Sequence, residues 1–130
     1  MKPLRVIAAA VVDARGLLLV SKHAAPHVYY LPGGKPDPGE PPLACLRREL
    51  AEELGVGLED PQHFEEVHAP AALERVAMHM TVYLAGLVGV PSPTAEIASL
   101  RWWRRENGLT LAPAIRDHVI PALQHVGLLL

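Results

Sequence analysis

The stretch GKPDPGEPPLACLRRELAEELGV, residues 34–56, decides how this sequence of 130 residues is interpreted. Its leucines recur at three- or four-residue spacing, which is typical of a helix that buries one face. They are Leu43, Leu46, Leu50 and Leu54. Pro41 and Pro42 suit a first helical turn, and Gly55 can end the helix in the left-handed conformation. We therefore expect a helix over residues 41–54, after an irregular loop rich in proline and glycine.

Another face of this helix carries three glutamates. Glu49, Glu52 and Glu53 stand at positions i, i+3 and i+4, so their carboxylates project from one side of a single turn. A hard divalent cation that prefers oxygen ligands would relieve their mutual repulsion. Mg²⁺ is the expected ion, and Mn²⁺ is its natural substitute. The plain alternative is an acidic helix face that is merely solvated.

The loop before the helix complements this acidic face. Glycine backbone can approach a ligand closely, and a free carbonyl of Gly33 or Gly34 could complete the coordination of the ion. Arg48, one turn from Glu52, could pair with it or with a neighbouring carboxylate and fix the direction of the acid. A metal ion held in this way polarises a phosphoryl group and lowers the pKa of a bound water, so the expected reaction is hydrolysis of a phosphoanhydride.

The stretch also resembles the Nudix box, which reads glycine, five residues, glutamate, seven residues, Arg-Glu, an aliphatic residue, any residue, Glu-Glu, any residue, glycine and an aliphatic residue. Every specified position is met. The residues at these positions are Gly34, Glu40, Arg48, Glu49, Leu50, Glu52, Glu53, Gly55 and Val56. Outside the box, Lys22-His23 in a predicted hairpin and Leu-Pro-Gly-Gly-Lys at residues 31–35 are similar to MutT-like members of the family.

This resemblance implies a fold and an activity. The fold is of the α/β (α+β) class, a Nudix-type α/β/α sandwich with a central mixed β-sheet, and residues 1–130 are expected to form a single Nudix hydrolase domain. The activity is metal-dependent cleavage of a phosphoanhydride bond in a nucleoside diphosphate linked to another moiety. The first choice among such substrates is a (d)NTP, cleaved as in MutT-like pyrophosphohydrolases.

The resemblance also implies site residues. Glu49, Glu52 and Glu53 are expected to bind the metal, together with the carbonyl of Gly33. Glu96, just before a predicted strand, is the candidate for a late-loop metal ligand or general base. The candidates for substrate binding are Lys22, His23, Gly34, Lys35 and Tyr30. Among them, Lys22 or His23 would meet the outer phosphates, and Tyr30 would form a wall for a base.

Predicted strands surround the box helix. Residues 5–12 and 17–20 are interpreted as a β-hairpin around an Asp-Ala-Arg-Gly turn, whereas residues 21–30 show no regular pattern. Further strands are predicted at residues 62–68, 78–88 and 97–103. A closing helix is predicted over residues 112–126, and Pro121 should kink or divide it. Trp102 and Trp103 would point to opposite faces of their strand, so that at most one lies in the core.

Composition limits the partners. The formal net charge is −2, so polymeric nucleic acid is not favoured, and a small nucleotide-type molecule is the expected partner. Cys45 is the one cysteine and cannot form an internal disulfide, which favours the cytoplasm. No apolar run is long enough for a membrane span. The sequence leaves the oligomeric state open: many family members pair as dimers, and Trp102, Trp103 or the apolar residues 128–130 could contribute to a homodimer.

The sequence leaves several alternatives open. An ADP-ribose or nucleotide-sugar hydrolase is the close rival, and a non-catalytic nucleotide sensor is the rival from another class. An RNA-cap or RNA-end processing enzyme is a third alternative, which the lack of a basic excess disfavours. MutT-like members recognise purine with a late asparagine, whereas Asn107 lies in a predicted turn. Glu40 could bind the metal, although capping of the helix N-terminus is favoured. Seven histidines invite a zinc site, but they lack tight ligand spacing, and Cys45 is expected to be a buried structural thiol.

Overall fold

A computed structural model describes residues 2–72, 76–105 and 108–130. Its strands are β1 (Leu4–Ala10), β2 (Val12–Asp13), β3 (Gly16–Lys22), β4 (Ala25–Tyr30), β5 (Gly33–Gly34), β6 (Gly57–Pro70), β7 (Ala77–Val88) and β8 (Ile97–Trp103). Helix α1 (Pro42–Leu54) lies between β5 and β6. A π-helical segment (Ile115–Val119) continues into helix α2 (Ile120–His125) near the end of the chain.

The strands form two sheets. The first has the order β5-β1-β7-β6 and is mixed, because β1 runs parallel to β7 while its other pairings are antiparallel. In the second sheet, β3 pairs antiparallel with β2, β4 and β8. The mixed sheet and the α/β (α+β) class agree with the sequence-based prediction.

Strands β1 and β3 bury both of their faces, which creates the layers. Ile7 and Leu18 pack with the apolar face of α1, and Ala8 and Leu17 pack with the segment that contains Ile115. Helical segments therefore cover both sides of the strands, as expected for an α/β/α sandwich. Within the described residues, no helix is long and apolar enough to cross a membrane.

Helix α1 agrees closely with its prediction. Pro42 occupies its first turn, and Gly55 ends it in the left-handed conformation with φ 67°. Leu46, Leu50 and Leu54 are fully buried. The apolar stripe thus fixes which side of α1 faces the core, and the acidic side is left for the loop around Gly33 and Gly34.

The predicted N-terminal hairpin is only partly correct. Val12 and Asp13 pair with Leu17 and Gly16, so the turn is present. Residues 4–10, however, leave this hairpin and pair with β7 and β5 in the other sheet. A local apolar pattern cannot choose between neighbours in sequence and a parallel partner far along the chain, and burial on both faces favoured the latter.

Two strands differ from their predictions. Strand β4 lies within residues 21–30, where the sequence shows no regular pattern. It pairs with β3 at two positions, which are separated by a bulge. Strand β6 covers residues 57–70 rather than 62–68, and register shifts near Pro61 interrupt its pairing with β7. Bulges hide the two-residue alternation on which prediction depends.

The C-terminal prediction of a divided helix is confirmed. Ile120 N–H donates to the Ile115 carbonyl, an i to i−5 bond that defines a π-helical turn. Pro121 stands at the start of α2, where its missing N–H removes one ordinary helical hydrogen bond.

The two tryptophans of β8 point to opposite faces of the strand, as predicted. Trp103 lies in one core. Trp102 faces the other side beneath the Arg15 guanidinium, which lies 3.9 Å from the centroid of the Trp102 ring.

Candidate active site

Three carboxylates meet beside the loop around Gly33 and Gly34. Oxygen atoms of Glu49, Glu53 and Glu96 all lie within 4.8 Å of one another. The first two come from α1 and the third from the loop before β8, so the sequence-based candidate Glu96 is brought to the helix by the fold. A group of three carboxylate oxygens at this spacing has the chemistry of a site for a hard divalent cation.

Glu53 is the buried member of this group. It is only 2% exposed, and the Gly33 N–H donates to its Oε1 at 3.0 Å. Its Oε2 is also buried, and among the described residues nothing donates a hydrogen bond to it. Burial, assisted by the nearby charge of Glu49, raises the pKa of Glu53 to about 8. An oxygen of this kind lacks a partner that a cation would supply, so the group fits a bound metal ion.

Two glycines bring the loop against these acids. Gly33 has φ 149°, and a Cβ there would overlap the Ile7 carbonyl. A Cβ on Gly34 would overlap the carboxyl group of Glu49. The box glycine is therefore needed because the Glu49 carboxylate occupies the space of a side chain. Burial also raises the pKa of Glu49.

Arg48 orients the acids around it. Its Nε and Nη2 donate to the two oxygens of Glu40 at 2.9 and 2.8 Å, and its Nη1 donates to Glu49 Oε1 at 2.9 Å. The Arg48 bonds lower the pKa of Glu40 to about 2, and the bonds with Glu40 raise the pKa of Arg48. The predicted orienting role of Arg48 thus has a geometric basis, with Glu40 as its anchor.

The prediction that Glu40 caps α1 is wrong. Pro41 is the N-cap residue, and no side chain in the described part of the chain caps the helix N-terminus. Glu40 instead accepts hydrogen bonds from Arg48 and from the Asp37 N–H, the latter at 3.0 Å. The ion pair across eight residues outweighs the helix dipole because a bidentate guanidinium bond is stronger than a single capping bond.

Glu52 lies outside the carboxylate group. Its side chain is 55% exposed, and its nearest cation is Arg48 Nη1 at 3.5 Å. Its backbone carbonyl accepts a bond from the Thr94 hydroxyl, and the Glu53 carbonyl accepts one from the Thr94 N–H at 2.9 Å. Free carbonyls at the end of α1 therefore hold the loop that carries Glu96, an arrangement that no local sequence pattern indicates.

Four of the five substrate-binding candidates line one cavity beside the acids, and the fifth, His23, does not. Lys22 Nζ lies 3.9 Å from Glu96 Oε1 and 5.2 Å from the centre of the Tyr30 ring. His23 N–H donates to the Glu96 carbonyl at 2.9 Å, but its exposed side chain does not line the cavity beside the acids. Lys22 and Tyr30 do line this cavity, as do Gly34 and Lys35.

The cavity measures about 430 Å³ and has two ends. Glu49, Glu96 and the two lysines form the charged end. The apolar end, which sequence analysis missed, is lined by Leu4, Val6, Pro70, Ala71, Met78, Met80, Ala112, Ala114 and Ile115. These residues come from distant parts of the chain, and their apolar pattern alone indicates only a core. The volume and the mixed lining suit a small organic ligand with an anionic part.

Other sequence candidates have structural roles. Cys45 is fully buried, and burial raises the pKa of its thiol to about 11, as expected for an unreactive structural thiol.

On the β6–β7 sheet, His63 and His79 bond to the two oxygens of Glu66, and His79 stacks on His68. The described residues contain no histidine group with metal-ligand spacing. Asn107 lies outside the described residues.

A family model of the NUDIX domain matches residues 1–123. The chain belongs to the Nudix family. Members of this family act on nucleoside diphosphates linked to other moieties, and they generally use a divalent metal ion. The family predicted from residues 34–56 is confirmed, and the carboxylate group lies within the Nudix box and the loop before β8.

Similar proteins agree with the Nudix assignment. The NAD-capped RNA hydrolase NudC of Stutzerimonas stutzeri (strain A1501) is 34% identical over 91 residues, which are 70% of this chain and 32% of NudC. The chain thus spans about a third of the length of this curated relative. A MutT Nudix hydrolase from Burkholderia pseudomallei has 30% identity and a TM-score of 0.80, covering 97% of this chain and 99% of that one.

A third Nudix similarity concerns the fold alone. The Nudix domain of Shewanella oneidensis NrtR, solved in complex with ADP ribose, has 19% identity and a TM-score of 0.75, covering 97% of this chain and 89% of that one. The relatives named as hydrolases agree with the predicted enzyme class. The names of the similar proteins mention different ligands, NAD-capped RNA for one and ADP ribose for another.

Proposed function

We propose that this chain is a divalent-metal-dependent hydrolase that cleaves a phosphoanhydride bond in a nucleoside diphosphate linked to another moiety. The observation that carries the proposal is a buried oxygen of Glu53 that has no hydrogen-bond partner among the described residues and lies next to Glu49 and Glu96 at the charged end of the cavity. A purely structural carboxyl group in this position would be costly because it leaves a buried polar oxygen without a hydrogen-bond partner among the described residues.

The metal site is proposed to consist of Glu49, Glu53 and Glu96, with the Gly33 carbonyl as a further oxygen donor. Glu52, the remaining predicted ligand, would need to turn inward from its exposed position or act through water. Oxygen ligands alone favour Mg²⁺, with Mn²⁺ as a substitute. A bound ion of this kind supplies Lewis-acid polarisation of the phosphoryl group and a water of lowered pKa.

The protein side chains have separate roles in this proposal. Arg48 holds the Glu49 carboxylate in one direction through its bond to Oε1. Glu96 is exposed and borders the cavity, so one of its carboxylate oxygens would bind the cation while the other would accept the proton of the attacking water as general base. Lys22 and Lys35 offset the negative charge of the phosphates at the same end, while Tyr30 forms a flat wall beside Lys22.

The proposed substrate is a (d)NTP, which is split into a nucleoside monophosphate and pyrophosphate. The apolar end of the cavity would take the base, and the charged end would take the phosphates. The second candidate is an ADP-ribose or nucleotide-sugar substrate. Its support is the ADP-ribose complex of the NrtR domain and the cavity volume of about 430 Å³.

A substrate panel with product analysis tests the proposal. It contains dNTPs, ADP-ribose, nucleotide sugars, dinucleoside polyphosphates and NAD-capped RNA, the last because of the NudC relative. Each is incubated with Mg²⁺, with Mn²⁺ and with EDTA in ¹⁸O-labelled water, and the labelled product identifies the phosphorus that is attacked. We expect nucleoside monophosphate and pyrophosphate from at least one dNTP, only with metal.

The outcomes separate the candidate functions. Cleavage of ADP-ribose alone would replace the triphosphate proposal with the second candidate. Tight nucleotide binding without cleavage of any panel member would support the third possibility, a nucleotide sensor without turnover. Metal-independent cleavage would contradict the proposed role of the three carboxylates.

A further inference from the structure

A chain of three hydroxyl groups lies behind the charged end of the cavity. Ser21 Oγ and Ser99 Oγ are 2.7 Å apart, and Tyr29 OH is 2.9 Å from the same Ser99 Oγ. Ser21 is fully buried and Tyr29 is 8% exposed. The three residues come from β3, β4 and β8, so this hydroxyl chain links all three long strands of one sheet. None of these residues is part of the proposed catalytic set.

Each member of the hydroxyl chain adjoins a strand end that forms the cavity. Ser21 precedes Lys22, and the β3 register shifts between these two residues, which turns Lys22 toward Glu96. Ser99 lies three residues after Glu96, on the strand that follows it, and the residue before Glu96, Ala95, has φ 53°, an unfavourable conformation for alanine. A strained backbone persists only where the surrounding contacts hold it.

Tyr29 also reaches the apolar end of the cavity through its backbone. Its N–H donates to the Thr110 carbonyl, and the Ala112 N–H donates to the Tyr29 carbonyl, both at 2.9 Å. Ala112 lines the cavity and precedes the π-helical segment. Tyr29 is therefore the residue at which the strands of the charged end and the wall of the apolar end are joined.

We propose that Tyr29, through its hydroxyl bond to Ser99 and with Ser21, is a positioning residue that holds Glu96 and Lys22 in place for the bound cation and phosphates. The two end members of this hydroxyl chain are buried and Ser99 is partly buried, so the hydroxyl groups have few alternative partners and fix strand register and side-chain direction more strictly than apolar packing does. The inference rests on the proposed function, because it concerns residues assigned there to the metal and phosphates.

The first test measures Mn²⁺ binding to the nucleotide-free protein by electron paramagnetic resonance. Tyr29→Phe removes one hydroxyl and leaves the ring, and Tyr83→Phe, in the other sheet, is the matched control. We expect Tyr29→Phe to weaken Mn²⁺ binding about fivefold, the scale of one lost hydrogen bond, and Tyr83→Phe to leave it unchanged. Ser99→Ala should reproduce the loss, and Ser99→Thr, which keeps a hydroxyl, should restore most of the affinity.

The second test asks whether the effect passes through Glu96. In a Glu96→Gln background, Tyr29→Phe should have no further effect on Mn²⁺ affinity, because the group it positions is already altered. An equal loss in both backgrounds would overturn the inference, and so would Mn²⁺ affinity for Tyr29→Phe equal to that of Tyr83→Phe. These measurements need no turnover, so a failure of the proposed hydrolysis and a failure of the positioning role give different results.

Discussion

Glu53 lies in the interior although burial disfavours its charge. The leucine face of α1 draws this side chain into the interior, and burial disfavours its charge, which is why its pKa rises to about 8. The Gly33 N–H stabilises one oxygen, while the other stays without a partner among the described residues. Such a carboxylate weakens the metal-free protein and favours the metal-bound one.

The first prediction concerns this residue. Glu53→Gln keeps the shape of the side chain but removes the anionic ligand, so kcat/KM with Mg²⁺ should fall about a thousandfold or more. The measurement is steady-state turnover of the best panel substrate, together with far-UV circular dichroism for folding. Glu59→Gln, an exposed change in β6, is the matched control and should retain full activity. Near-normal turnover of the Glu53 variant would contradict the assignment.

The second prediction concerns Gly34. A Cβ at this position overlaps the Glu49 carboxyl group, so Gly34→Ala should push that acid away and weaken Mn²⁺ binding by at least about tenfold. Gly86→Ala is the control, since its Cβ would make ordinary contacts with Glu59. Titration of both variants with Mn²⁺ checks the prediction, and equal affinities would mean that Glu49 adapts or does not bind the metal.

At the scale of elements, the site depends on how strands and loops meet α1. Residues 92–94 donate hydrogen bonds to the last carbonyls of α1, and these bonds bring Glu96 to Glu53. The β6–β7 pair carries a separate polar group, in which Glu66 accepts bonds from His63, His79 and Thr81. Partial burial raises the pKa of Glu66, but these bonds outweigh it and lower the pKa to about 2.

The third prediction follows from the direction of this shift. Because the pKa of Glu66 is lower in the folded chain than its ordinary value of 4.5, its stabilising effect is present above about pH 4.5 and is lost as pH falls toward 2. Urea unfolding at several pH values should therefore show wild type losing stability relative to Glu66→Gln across this range. Glu65→Gln should follow wild type, and parallel curves for wild type and Glu66→Gln would exclude the effect.

Local patterns explain which elements could be predicted. The leucine stripe, Gly55 and Pro121 specify α1, its end and the divided C-terminal helix, because helical contacts join residues near in sequence. The family resemblance added Glu96 as a candidate. The pairing of β1 with β7 and the course of β4 were missed because strand partners are distant and bulges mask alternation. The Glu40–Arg48 pair was missed because dipole arguments favoured capping.

At the scale of the whole molecule, two sheets and two helical segments converge on one cavity. The three clustered carboxylates come from α1 and from the loop before β8, and the apolar wall comes from β1, β7 and the segment before α2. A ligand at the charged end therefore contacts parts of the chain that are far apart in sequence. Binding of a ligand at the charged end should therefore raise the free energy of unfolding of the whole domain.

The fourth prediction is a metal-dependent melting temperature. A ligand that binds only the folded state at about a hundred times its dissociation constant adds about 2.7 kcal/mol, which should raise the melting temperature by several degrees. Differential scanning calorimetry in EDTA and in increasing Mg²⁺ measures this shift. Glu53→Gln should melt at similar temperatures in both conditions, and a shift that persists in this variant would place the ion elsewhere.

The buried thiol of Cys45 gives an independent view of the same helix. It lies on the apolar side of α1, on the helix that supplies Glu49 and Glu53, and thiol reagents react with the thiolate, which burial disfavours here. Labelling under native conditions consequently requires the helix to detach from the sheets. The modification rate of the Cys45 thiol then reports how often the helix opens. The degree to which Mg²⁺ slows this modification would measure how much the ion stabilises the closed position of the helix.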